Sequence, residues 1–168
     1  MFTSGSTGFP KGAIIRRESL LRFARLCKKN FSLNNKDNLT SLNPLYFDNS
    51  IFDIFATILN GLTLTIFTEN DLKNPNDILK KVKKFKPTVW FSTPSLLIYL
   101  INLKILNYDN FRPIKKIIFG GEAFPINKLK QLFELDKSKF LYNVYGPTET
   151  TCICSSHKIN KHDIYNTL

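Results

Sequence analysis

Acidic residues are scarce in this chain: 13 Asp and Glu stand against 24 Lys and Arg, a formal charge of +11 at neutral pH. That balance excludes an acidic, solvating chain and leaves polyanions as natural partners, either nucleic acids or small phosphorylated ligands. The lysines are spread over solvated helix faces, as at Lys80, Lys81, Lys83 and Lys84. No RRM, KH or helix-turn-helix signature accompanies them, so nucleic-acid binding is set aside. Histidine and cysteine are also rare, with 2 and 3 copies. Cys27, Cys152 and Cys154 lack metal-ligand spacing and read as reduced, cytosolic thiols, the last two expected in a strand. No apolar run approaches the ~20 residues that span a bilayer, and the polar, glycine-rich start does not read as a signal peptide. The Gly-Lys-Ser/Thr of an NTPase P-loop is missing too, since Pro10 precedes Lys11 and Gly12 follows it.

What is present is a core-former. Hydrophobic residues make up 43% of the 168, with 15 phenylalanines, and a chain of this size suits one domain burying roughly 70% of its unfolded surface. Strand and helix signals alternate. Leu20, Phe23, Ala24 and Cys27 recur at helical spacing after a cap expected at Ser19. A strand over 39–43 ends at Pro44. A helix from about Ser50 to Asn60 carries Ile51, Ile54, Phe55 and Ile58 on one face, with Gly61 closing it.

Further strands are expected over 62–67, 88–92, 115–119, 140–144 and 152–157. Helices lie between them: one capped by Asn76 and stopped by Pro87, one opened by Pro94, and one marked by Ile126, Leu129, Leu132 and Phe133. This alternation implies an α/β fold with a mainly parallel sheet, in which ligands bind at the carboxyl ends of the strands.

Three blocks carry chemistry. The run Thr3-Ser4-Gly5-Ser6-Thr7-Gly8-Phe9-Pro10-Lys11-Gly12 packs four hydroxyl residues, three glycines and one lysine into ten positions. Glycine lets successive N–H groups approach a ligand, hydroxyls add neutral hydrogen bonds and lysine adds a mobile charge, which together suit phosphate. A Ser/Gly linker is the bland alternative, and Pro-Lys-Gly leading straight into a structured segment argues against it. Gly120-Gly121-Glu122 directly follows one apolar strand. Asn143-Val144-Tyr145-Gly146-Pro147-Thr148-Glu149 follows another: Gly-Pro turns the chain, an aromatic can stack on a base, and a carboxylate can ligate Mg²⁺. Alone, this block equally suits a plain turn between strands.

In this order the blocks resemble the adenylate-forming superfamily of acyl-CoA synthetases, luciferases and amino-acid adenylation domains. The resemblance runs from Phe2 to about Ile159. It implies activation of a carboxylate by ATP with Mg²⁺, release of pyrophosphate, and transfer of the acyl group to a thiol. It assigns Thr3, Ser4, Gly5, Ser6, Thr7, Gly8 and Lys11 to the β- and γ-phosphates, and Gly120, Gly121 and Glu122 to one wall of the adenine. Tyr145 takes the other wall and Asn143 reads the adenine amino group, within a nucleotide-binding stretch that includes Val144, Gly146 and Pro147. Thr148 is assigned to the α-phosphate and Glu149 to the metal, with Lys11, Thr148 and Glu149 as the catalytic set.

Pro44-Leu45-Tyr46-Phe47-Asp48-Asn49-Ser50 narrows the class. By position Asp48 suits a helix N-terminal charge or cap. Phe-Asp-x-Ser also resembles the block in amino-acid-activating members whose aspartate pairs with the substrate ammonium, and the two roles are compatible. The resemblance is nearest to D-alanine–carrier-protein ligases and nonribosomal peptide synthetase adenylation domains. It implies a side-chain pocket of Phe52, Phe91, Ile117, Phe119, Val144 and Cys152, and a carrier-protein phosphopantetheine as acceptor.

Phe119 is bulkier than D-alanine leads one to expect there, and Arg17 stands where many members have histidine. The resemblance further implies a part of a longer enzyme's large domain, without its C-terminal lid and complemented by a remainder, which a separate gene could encode. An acyl-CoA or aryl-acid ligase fragment and an inactive nucleotide-binding remnant are the alternatives.

Overall fold

The computed structural model describes residues 1–3 and 8–165. A short antiparallel hairpin, β1 (Phe2–Thr3) and β2 (Lys11–Gly12), opens the chain. Then follow α1 (Arg17–Asn30), β3 (Asn38–Ser41) and α2 (Asn49–Ile51), which runs through a π-helical turn (Phe52–Ala56) into α3 (Thr57–Asn60). Next come β4 (Thr63–Ile66), α4 (Glu69–Lys73), α5 (Pro75–Phe85), β5 (Val89–Ser92), α6 (Pro94–Asn102) and α7 (Tyr108–Phe111). The series ends with β6 (Lys116–Gly120), α8 (Ile126–Leu135), β7 (Phe140–Tyr145), β8 (Ser155–Lys158) and α9 (Lys161–Tyr165).

Strands β4-β3-β5-β6-β7-β8 form one sheet in that order, parallel except for the antiparallel β7–β8 pair. The expected mainly parallel α/β fold is what the chain adopts. From β3 the chain steps outward to β4, then returns to β5 on the other side. The order therefore reverses between β3 and β5, and such a switch point opens a crevice beyond the strand ends. Only Leu39 and Val89 are in register between these two strands, so their ladder is short.

Each face of the sheet buries its own core. Trp90, Ile117, Phe119 and Leu141 point to one face, packed with Leu97, Phe111 and Leu132. Phe91, Ile118, Tyr142 and Val144 point to the other, packed with Phe23, Phe31 and Phe52. Lys116, at the start of β6, forms a buried ion pair with Asp37 at 2.7 Å, and Thr88 donates to the same carboxylate at 2.8 Å. Burial pushes the Asp37 carboxyl up, but hydrogen bonds from Lys116, Asn34 and Thr88 with the lysine charge hold it below its ordinary value.

Several local expectations shift. The N-cap of α1 is Arg16 and not Ser19, and that of α5 is Asn74, whose side chain accepts from Asn76. Cys152 and Cys154 precede β8 instead of lying in it. In the 49–60 helical stretch the buried residues are Ser50, Phe52, Asp53, Ala56 and Thr57, while Ile58 is exposed. The buried positions 52, 53, 56 and 57 recur at helical spacing one step round from the stripe through Ile51, Ile54, Phe55 and Ile58, which is half-buried or exposed. Phe52 is held inward by edge-on contacts with Phe31 and Phe91, at 5.7 and 4.8 Å between ring centroids.

Candidate functional site

A cavity of about 530 Å³ opens at the switch point. Its wall is built from strand ends and the loops after them: Leu42 and Asn43 beyond β3, Ser92 and Thr93 at β5, Gly120 to Glu122 at β6, and Val144 and Gly146 at β7. Pro44, Phe47, Asp48, Asn49, Leu96, Cys152 and Ile153 complete it. Of the residues expected in a site, it thus unites Asp48, Gly120, Gly121, Glu122, Val144, Gly146 and Cys152.

The glycines at the strand ends are sterically required. A Cβ on Gly120 would stand 2.2 Å from the Val144 carbonyl oxygen, and one on Gly146 would stand 2.3 Å from that of Cys152. Both glycines therefore let backbone segments close up where the wall is formed.

Asp48 occupies the N-cap position of α2 but makes no side-chain capping bond. Instead the Thr148 hydroxyl donates to its Oδ2 at 2.6 Å. The Phe-Asp-x-Ser loop and the Gly-Pro-Thr-Glu turn are thereby joined across 100 residues. Thr148 lies on the wall of a third cavity of about 370 Å³ between the opening hairpin, α1 and α2. That cavity shares Asp48 and Cys152 with the central one.

Glu149 lines a second cavity of about 360 Å³ with Ser19, Arg22, Asn30 and Cys154. Asn143, Tyr145 and Pro147 are exposed beside the central cavity and do not line it. Thr3 and Lys11 lie on the hairpin, where the Thr3 hydroxyl donates to the Lys11 carbonyl at 3.4 Å. Gly8 is exposed with φ +83°, while Ser4, Gly5, Ser6 and Thr7 lie outside the described residues. Phe52 and Phe91 sit in one core, Ile117 and Phe119 in the other, all at most 1% exposed. None of these four reaches the cavity wall.

Two polar groups, Asn43 on the cavity wall and Asp53 bonded to it, were not singled out from sequence. Asn43 donates its side-chain amide to both carboxylate oxygens of Asp53, at 3.2 and 3.0 Å, and Asp53 is 1% exposed. Burial pushes the Asp53 carboxyl well above the usual range, against the two donors of Asn43. The signal was a lone carboxylate inside the apolar run Ile51-Phe52-Asp53-Ile54-Phe55. Glu122, expected as part of a backbone wall, also uses its side chain: it accepts from the Ser95 amide at 3.0 Å and from the Ser95 hydroxyl, in the first turn of α6. Burial, and then the charges of Asp48, Cys27 and Asp53, push the Cys152 thiol up, so it stands as a neutral wall.

Among the described residues no group of three His, Cys, Asp or Glu side chains could hold a metal ion, and no helix is long and apolar enough to cross a membrane. A lone carboxylate such as Glu149 suits Mg²⁺, which keeps several waters and is held by one or two carboxylates plus substrate phosphates.

Residues 1–167 match the AMP-binding enzyme family. The chain is 31% identical over 166 residues to the L-proline–[L-prolyl-carrier protein] ligase of Streptomyces coelicolor, covering 98% of this chain and 31% of that protein. It is 32% identical over 170 residues to the D-alanine–D-alanyl carrier protein ligase of Staphylococcus aureus, covering 100% and 35%. Among solved structures, the Vibrio cholerae adenylation domain AlmE, in complex with glycyl-adenosine-5′-phosphate, aligns with a TM-score of 0.85. That match is 27% identical and covers 96% of this chain and 30% of that one. The chain spans about a third of the length of the curated relatives it matches. With its cavity at the strand ends and its residues matched from first to last but one, this chain belongs to the AMP-binding enzyme family.

Proposed function

We propose that the chain forms the ATP- and substrate-binding core of an amino-acid adenylating ligase. In that reaction a carboxylate oxygen attacks the α-phosphorus of ATP. A new O–P bond forms and the bond to pyrophosphate breaks; a carrier-protein phosphopantetheine thiol, losing its proton, then attacks the aminoacyl-adenylate's carbonyl, forming a thioester and releasing AMP. Gly120, Gly121 and Glu122 form one side of the nucleotide site, Tyr145 and Asn143 the other, and Thr148 donates to the α-phosphate. Thr3 to Gly8 and Lys11 take the outer phosphates, and Glu149 would hold Mg²⁺, whose charge would offset that building on the phosphates.

One observation carries the amino-acid reading: Asp48 stands on the wall of the cavity that Gly120 to Glu122 also line. A substrate ammonium entering that cavity leaves water, and a carboxylate beside it offsets the loss. The named specificities of two relatives, for proline and for D-alanine, point to the same substrate class.

The test is ATP–pyrophosphate exchange in a chimera of the Staphylococcus aureus ligase whose matching segment is replaced by residues 1–167. Exchange is expected with one or a few amino acids and not with their amine-free counterparts. Equal exchange with plain short-chain or aryl acids would identify an acyl or aryl-acid ligase instead.

A further inference from the structure

At the switch point the β3–β5 ladder is short, and side chains extend it. Past the Leu39–Val89 register pair, the Phe91 N–H donates to the Thr40 hydroxyl at 3.3 Å. The Phe91 carbonyl accepts from the Asn43 side-chain amide at 3.2 Å. Asn43 is therefore a bridge across the gap between β3 and β5, at the point where the cavity opens. Its backbone N–H donates to Asp53 Oδ2 at 3.3 Å, and its amide grips both Asp53 oxygens. The partners that bind the Asp53 carboxylate among the described residues all belong to Asn43.

A carboxylate buried without a cation is a costly choice, because an apolar residue of similar size commonly serves stability as well or better. Asp53 sits where the neighbouring positions are Phe52, Ile54 and Phe55. Its contribution must therefore lie in what it orients. Asn43 begins a tightly turned segment: the Phe47 N–H donates to the Pro44 carbonyl at 3.0 Å, and the Ser50 hydroxyl donates to the Phe47 carbonyl at 2.7 Å. The Ile51 N–H closes on the Asp48 carbonyl at 2.9 Å. A segment so closed at each step transmits the placement of its first residue to Asp48. Asn43 and Asp48 line the same cavity, while Asp53 reaches it only through Asn43.

We infer that Asp53 is a positioning residue for amine recognition: through Asn43 it fixes the 43–50 segment and so aims the Asp48 carboxylate at a substrate ammonium. This rests on the reading of Asp48 given above. Asp53 touches no ligand in this role, and ATP binding at Gly120 to Glu122 does not depend on it.

The test is calorimetry on the full chain with glycyl-sulfamoyladenosine and its acetyl counterpart, which lacks only the amine, with ATP as a third titrant. Wild-type protein is expected to prefer the amine-bearing probe by roughly a hundredfold, the scale of a broken buried charge pair. Asp53→Asn turns an amide N–H₂ toward that of Asn43 and is expected to cut this preference by about tenfold or more, with ATP affinity held to about twofold.

Asp53→Leu, an apolar replacement that keeps the helix packed, is expected to behave the same way, and circular dichroism reports folding of both. Preference retained in both folded variants would overturn the inference. So would an equal loss for all three titrants, the mark of a merely structural residue. A wild-type chain blind to the amine would instead overturn the assignment of Asp48, and the role of Asp53 would fall with it.

Discussion

Thr148 donates its hydroxyl proton to Asp48 at 2.6 Å, so the residue assigned to the α-phosphate and the residue assigned to the ammonium hold each other. A phosphate that draws the Thr148 hydroxyl away leaves Asp48 with a free lone pair for an amine. Nucleotide and amino acid should therefore bind with positive coupling, and linkage makes the effect reciprocal. A non-hydrolysable ATP analogue is expected to tighten binding of the preferred amino acid by roughly tenfold, the scale of one charge-assisted hydrogen bond. Thr148→Val should abolish that response, as read by paired calorimetric titrations with and without nucleotide. Coupling that persists in the variant would dissociate the two roles.

In their proposed roles, Glu149 and Lys11 should contribute separably. If Glu149 holds the metal as proposed, Glu149→Gln should weaken ATP binding in Mg²⁺ by roughly tenfold while leaving metal-free binding unchanged. Lys11→Ala should cost about threefold with or without metal, because an exposed lysine is one donor among several. Titrating ATP in Mg²⁺ and in chelator checks both. Indifference of the Glu149 variant to metal removes it from the metal site.

Gly120 and Gly146 should tolerate no side chain. At 2.2 and 2.3 Å from backbone oxygens, an added Cβ forces β7 or the 146–152 turn to move. Gly120→Ala and Gly146→Ala are each expected to destabilise the fold by about 1–3 kcal/mol or more, measured as a lowered urea midpoint. The two should differ in function: Gly146→Ala also disturbs the turn that carries Thr148, so its residual ATP affinity should be the lower. Wild-type midpoints would contradict the close approach.

Acid sensitivity should trace in part to Asp37. Its carboxyl is held low in the folded chain, so the folded state binds fewer protons than the unfolded one in the acid range. Its stabilisation is present above the unfolded value of about 4 and is lost as pH falls through the folded value. Asp37→Asn should lower the urea midpoint at pH 7 and flatten its fall below about pH 4. Lys116→Met leaves Asp37 buried and unpaired and should cost on the order of 3–5 kcal/mol. Asp53 acts in the opposite sense: its raised carboxyl removes stability as pH rises through the folded value.

Much of this was legible in the sequence because it depends on local chemistry. Alternating apolar strands and helices gave the parallel sheet, and Gly120-Gly121 and Gly146 mark the strand ends that form the cavity. The expected side-chain pocket was not legible as one unit: the two-residue period pairs Ile117 with Phe119, but only the β5–β6 register sets Phe91 on the opposite face.

What stayed hidden depends on tertiary context. The inward face of the 49–60 stretch carries Asp53 and Thr57 beside Phe52 and Ala56, and an apolar stripe alone points to its neighbour. Asn43 and Asp53 find each other only once β3 and β5 part, and Thr148 reaches Asp48 only through the folded sheet. Glu122 reads as part of a glycine turn until α6 brings Ser95 against it.

The central claim, that this cavity joins an adenylate to an amine held by Asp48, is tested most directly by removing that carboxylate. Calorimetry with the glycyl and acetyl sulfamoyladenosines should show wild-type protein favouring the amine-bearing probe by roughly a hundredfold. In Asp48→Ala the two affinities should converge within about threefold, with the acetyl probe little changed, since only the buried charge pair is lost. An undiminished preference for the glycyl probe in Asp48→Ala, or no preference in the wild type, would contradict the account.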